Sequence, residues 1–68
     1  MEILVLGLGY VGTVTAAILA QFGHRVTGVD PNVEKVNLIN RGLSTVSEPH
    51  LDKIVEEVSQ SGFLKASV

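Results

Sequence analysis

A chain of 68 residues holds one small domain at most, and at that size folding removes only about 60% of the unfolded surface from water. Hydrophobic residues make up 46% and charged residues 18%, with a mean hydropathy of +0.38, which excludes a disordered tail. The net charge is −2 and the cations Arg25, Lys35, Arg41, Lys53 and Lys65 are scattered, which excludes a nucleic-acid footprint; the absence of cysteine excludes a disulfide scaffold, a thiolate metal site and a cysteine nucleophile within this stretch.

Nothing staples so short a chain, so it rests on packing alone or forms part of a longer polypeptide, and the second is the expectation. From Ile3 to Ala20 no residue is charged, which reaches the length of a membrane span. Against a span or a signal peptide stand Glu2, where a positive charge is expected, and glycines at 7, 9 and 12 that interrupt the stretch. A cytoplasmic protein with no membrane partner is expected.

Residues 2–6, Glu-Ile-Leu-Val-Leu, form a short aliphatic run ending at a glycine, which suits a strand buried on both faces of a parallel sheet. Residues 10–22 change to a helical period. Val11, Val14, Ile18 and Phe22 make the apolar stripe, with Thr15 and Leu19 at its edges, and Ala16, Ala17 and Ala20 favour helix. Gly23 stands where a left-handed residue would end that helix. Residues 25–30, Arg-Val-Thr-Gly-Val-Asp, read as a second strand.

Strand, helix and strand in thirty residues make a βαβ unit, whose right-handed crossover brings the C-terminal ends of both strands to one sheet edge. Gly9 and Asp30 are therefore expected close together. A helix over 32–40 follows, with Pro31 suited to its start and Val33, Val36 and Ile39 on its apolar face. A further helix over 49–60 opens on Glu48-Pro49, a carboxylate and a proline at the positive end of the dipole, with Leu51, Ile54, Val55 and Val58 inward. Phe63 to Val68 suits one more strand. The fold class is α/β: a partial Rossmann-type, doubly wound parallel sheet, an incomplete N-terminal cofactor-binding domain with no substrate domain.

Gly7-Leu8-Gly9-Tyr10-Val11-Gly12 matches GxGxxG. The pattern alone is weak; its context, after a strand, opening a helix and with an acid ending the next strand, is what carries it. Gly7 permits the tight turn, Gly9 lets backbone approach a pyrophosphate, and Gly12 lets the helix pack on the strand. Free amides near Tyr10 and Val11 point at the phosphates from the positive end of the helix. The bland alternative is three glycines used for packing alone.

Asp30 selects the cofactor. Its carboxylate can accept ribose hydroxyls and repels the 2′-phosphate of NADP, and Arg25 lies about 16 Å back along the strand. NAD is expected. The competing role for Asp30 is N-cap of the next helix. Lys35, one turn into that helix, can reach the adenosine side, although a lone lysine is usually just solvated.

The same residues carry a resemblance. The glycine turn with its Tyr10-Val11 insert, Gly28-Val29-Asp30, Lys35, Leu38-Ile39-Asn40-Arg41-Gly42 and Ser47-Glu48-Pro49-His50-Leu51 resemble the N-terminus of the UDP-glucose/GDP-mannose dehydrogenase family. Ser61-Gly62-Phe63-Leu64-Lys65-Ala66 looks somewhat more like the GDP-mannose branch. The resemblance implies NAD binding by Tyr10 and Val11 on the diphosphate, with Asp30 and Lys35 around the adenosine ribose; Gly7, Gly9 and Gly12 of the turn complete the expected cofactor-binding set. It implies oxidation of the C6 hydroxyl of a nucleotide-linked hexose by two NAD, through an essential cysteine, in a homo-oligomer. The family's catalytic residues lie downstream, so no catalytic residue is assigned here, and no metal. His50 stands where most members have glycine, which fits an early helical position with ordinary backbone angles. The rivals are another NAD dehydrogenase, a nucleotide-sensing regulatory domain, and a βαβ unit that binds nothing.

Overall fold

The structure, a computed structural model, describes residues Met1–Val68. Three strands and three helices follow in the order β1 (Glu2–Leu6), α1 (Tyr10–Gln21), β2 (Arg25–Val29), α2 (Val33–Asn40), α3 (Pro49–Gln60) and β3 (Leu64–Ser67). The strands form one parallel sheet in the order β1-β2-β3. The register sets Leu6 beside Val29 and Val29 beside Ser67, so all three strands finish at one edge. The segment 63–68 does contain a strand.

Alternation decides which face of the sheet is covered. Ile3 pairs with Val26 and Val26 with Leu64, and these residues meet all three helices in a single apolar cluster. From α2 the cluster takes Val36 and Ile39, from α3 Leu51, Val55 and Val58. Ile39 and Val55 are fully buried, each contributing about 1.5–3 kcal/mol of transfer free energy. The opposite face carries no helix, and there Leu4 and Leu6 are 69% and 79% exposed. That corrects the expectation of a first strand buried on both sides. A parallel strand reads as continuously apolar because it is meant to be covered twice, and this chain supplies one cover.

The buried face of α1 is a second correction. The residues turned to the sheet are Thr13, Ala16, Ala17 and Ala20, while Val11, Ile18 and Phe22 stand exposed. Val14 and Leu19 pack at the margin of the core. The spacing 13, 16, 17, 20 is as helical as that of the large residues. Small side chains win the inner face because they let the helix axis come close to the sheet.

The helix ends follow from local chemistry. Phe22 is the C-cap of α1, and Gly23, at φ +96°, turns the chain while its amide reaches Ala20 O and the His24 amide reaches Leu19 O. Helix α2 begins one residue later than expected. Asn32 is its N-cap, its Oδ1 accepting from Glu34 N at 2.9 Å and Lys35 N at 3.3 Å, so Pro31 lies before the cap rather than inside the helix. Glu48 caps α3, accepting from His50 N and Leu51 N at 3.1 Å each, with Pro49 in the first turn.

The two outer edges of the sheet differ. At β3 the Asn40 side chain donates to Ala66 O at 3.0 Å and accepts from Ala66 N at 2.8 Å, taking the place of a neighbouring strand. Strand β1 is paired with β2 alone.

Candidate functional site

The site lies at the edge where the strands end. Gly7 leaves β1 at φ +93°, a conformation few residues other than glycine adopt, and its amide bonds Val29 O at 2.7 Å. The turn then drives Leu8 into the core, where it is fully buried. Gly28 makes room for it: a Cβ at that mid-strand position would collide with the Leu8 side chain. The chain re-emerges at Gly9 and enters α1.

Asp30 and the glycine turn are joined directly. The Leu8 amide donates to Asp30 Oδ2 at 2.8 Å, and Asn32 N donates to Oδ1 at 2.8 Å. Asp30 therefore closes the loop between the first and second strands instead of capping α2, the role that Asn32 takes. Those two amides, the Leu8 one first, hold its carboxyl below the ordinary carboxylate range. Burial opposes them, and the Lys35 ammonium adds to them in a smaller measure. Each carboxylate oxygen retains a second lone pair for an outside donor.

The sign of the linkage follows. A carboxyl that resists protonation when folded stabilises the fold above the unfolded-state value of about 3.9, and that stability is lost as pH falls below it. In acid titrations of melting temperature, the gap between the native protein and Asp30→Asn should narrow below about pH 3.9. A gap that stays constant to low pH would show that Asp30 titrates normally.

The start of α1 leaves its first amides unpaired, an arrangement able to accept an anion. Its first amide bond is Thr13 N to Gly9 O at 3.0 Å, and Tyr10, Val11 and Gly12 find no acceptor in the chain for their N–H groups. No side chain caps this end, unlike those of α2 and α3. Gly9 is exposed and a Cβ there would touch nothing within 4 Å. Tyr10 and Val11 are exposed beside it. Lys35 lies half-buried on α2, close enough for its charge to act on Asp30. Gly12, by contrast, is packed hard against the turn. The arrangement suits NAD: open space over Gly9, unpaired amides for a diphosphate, and a carboxylate within the same edge for a ribose.

It is a shelf rather than a cavity. The largest hollow, about 760 Å³, lies elsewhere, between the end of α2 and the start of α3, with Ser44, Thr45, Pro49, Asp52 and Lys53 in its wall. The shelf and this hollow share one element, the 43–48 connection. From it Thr45 Oγ1 reaches Leu8 O at 3.0 Å, and Thr13 Oγ1 reaches the same oxygen at 3.0 Å. Leu8, Thr13, Gly28 and Thr45 were not singled out as site residues from sequence. A glycine in the middle of a strand is a signal for Gly28, whereas Thr45 lies 37 residues from its partner and has none.

Comparison with known proteins agrees with this geometry. The model of the UDP-glucose/GDP-mannose dehydrogenase family, NAD binding domain, matches residues 1–68. A GDP-mannose 6-dehydrogenase of Pseudomonas aeruginosa is 43% identical over 67 residues, which are 98% of this chain and 15% of that protein. A UDP-N-acetyl-D-mannosamine dehydrogenase of Yersinia pestis is 47% identical over 62 residues, 91% of this chain and 15% of that one. Among solved structures, the ternary complex of the P. aeruginosa GDP-mannose dehydrogenase superposes with a TM-score of 0.95 at 43% identity, over 98% of this chain and 15% of its own. A UDP-N-acetyl-mannosamine dehydrogenase of Staphylococcus aureus gives 0.93 at 39%, over 98% and 16%. The chain thus spans about 15% of the length of these relatives. Its Rossmann-like sheet, its uncapped glycine turn and a family match over every residue lead to one conclusion: the chain belongs to the UDP-glucose/GDP-mannose dehydrogenase family, whose NAD-binding domain it matches.

Proposed function

We propose that this chain forms the ADP-binding side of the NAD site in a cytoplasmic, homo-oligomeric nucleotide-sugar 6-dehydrogenase. Gly9, Tyr10, Val11 and Gly12 offer main-chain N–H groups to the diphosphate, Gly7 shapes the turn, and Asp30 with Lys35 holds the adenosine ribose. Bound NAD supplies the hydride acceptor for oxidation at C6 of a nucleotide-linked hexose. The residues here bind and orient; none removes the proton or holds the sugar. The observation carrying this reading is the bond from Leu8 N to Asp30 Oδ2, which ties the ribose carboxylate to the diphosphate turn.

The domain is incomplete on this reading. One wall of a crevice cannot enclose a dinucleotide, and the bare sheet face with Leu4 and Leu6 needs a second cover. The nucleotide sugar is GDP-mannose or a UDP-linked sugar, and the similar identities to relatives of both kinds support both. Family membership sets the chain apart from nucleotide-sensing domains that share the glycine turn.

The complete protein carrying this chain should reduce NAD, and not NADP, when supplied with GDP-mannose, UDP-glucose or UDP-N-acetylmannosamine, with one sugar clearly preferred. Absorbance of the reduced cofactor reports it. Residues 1–68 alone should show no turnover and weak or no NAD binding. Failure with every sugar nucleotide, or tight stoichiometric NAD binding by residues 1–68, would overturn the proposal.

A further inference from the structure

We propose that Thr45 is a positioning residue for the cofactor: together with Thr13 it fixes the Leu8–Gly9 peptide so that the Gly9 N–H faces the ligand. The inference deepens the reading of the glycine turn as the seat of the NAD diphosphate and rests on it.

Three oxygens form a close triangle. Thr13 Oγ1 and Thr45 Oγ1 each lie 3.0 Å from Leu8 O and 2.7 Å from one another. Two hydroxyl protons serve three short contacts, so at any moment one hydroxyl donates to the carbonyl and the other to its fellow, or both donate to the carbonyl. Thr13 and Leu8 are fully buried, so the carbonyl is held inside the protein and away from solvent.

A trans peptide is planar, with its C=O and N–H opposed. Drawing Leu8 O inward therefore turns the Gly9 N–H outward, at a residue that is itself exposed. That amide has no acceptor in the chain. On the other side of Leu8, the amide is held by Asp30 at 2.8 Å. Both peptide units flanking Leu8 are thus tethered, one by a carboxylate and one by two hydroxyls. The tether from Thr45 is the only one of these from beyond α2. Its connection is itself anchored, since Val46 packs on the core and Ser44 Oγ accepts from Val46 N at 3.1 Å.

The redundancy makes a distinctive test. With Thr45→Val or Thr13→Val alone, the remaining hydroxyl still donates to Leu8 O, and NAD binding by the complete protein should weaken about threefold. With both replaced, the carbonyl loses every donor and binding should weaken about thirtyfold, more than the product of the single effects. Thr45→Ser, which keeps the hydroxyl, should bind NAD like the native protein. The effect should appear in Kd and in KM for NAD, with kcat at saturating NAD unchanged, a split that a general loss of structure would not produce.

Native-like NAD binding in Thr45→Val and in the double variant, alongside lost binding in Gly9→Val, overturns the role of Thr45 and leaves the turn's function standing. Native-like binding in Gly9→Val as well overturns the diphosphate reading, and this inference with it. If the double variant does not fold, the comparison of Thr45→Val with Thr45→Ser decides: equal Kd values for NAD overturn the proposal.

Discussion

Gly12→Ala should destabilise the domain by about 3 kcal/mol or more, at the upper end of what overpacking costs. A Cβ on Gly12 would fall inside the Gly7 carbonyl oxygen and 2.9 Å from its carbon. A side chain in that position could swing away, but a turn carbonyl cannot. Gly7 already stands at φ +93°, and its amide is committed to Val29 O. Relief would require α1 to lift from the sheet and uncover Ala16, Ala17 and Ala20, all buried. Melting of the complete protein checks this, with Gly9→Ala as the unstrained control. A Gly12→Ala protein that melts like the native one would show that α1 is not seated as described.

Gly9→Val has the opposite profile. Its backbone, at φ −74° and ψ −161°, is extended and open to any residue, and no atom lies within 4 Å of a Cβ there. As the N-cap it loses about 1 kcal/mol or less in stability. On the proposed reading, the branched side chain occupies the space of the diphosphate, and NAD affinity should fall about a hundredfold or more. Calorimetric titration beside a melting curve separates the two effects. Unchanged affinity in a folded variant would remove the diphosphate from this turn. On the proposed reading the missing side chains of these two glycines divide the work, that of Gly12 serving helix packing and that of Gly9 leaving space for the ligand.

The close packing at Gly12 was legible in the residues, because glycine spacing reports backbone geometry directly. The order of elements was legible for a similar reason. Aliphatic runs of five, helical periods and the Glu48-Pro49 start are local signals, and the observed elements begin and end within a residue or so of where those signals fall. Asp30 was placed beside the glycine turn by topology alone, since parallel strands joined by a helix end at one edge.

The inner face of α1 was not legible. Hydrophobic periodicity weighs large residues, and the large stripe at Val11, Ile18 and Phe22 is the outer one. What seats Thr13, Ala16, Ala17 and Ala20 inward is the closeness of the helix to the sheet, a distance set by Gly12 against Gly7 and by Leu8 over Gly28.

The sequence by itself determined the order of strands and helices, the glycine turn and the acid that ends the second strand, because each depends on neighbours a few residues apart. Only the tertiary structure decided that Asp30 grips the Leu8 amide 22 residues away, and that one sheet face stays bare. It alone brought Thr45 to the Leu8 carbonyl across 37 residues. Such bonds are chosen by which groups the packed helices leave within 3 Å of one another, and no local spacing encodes that distance.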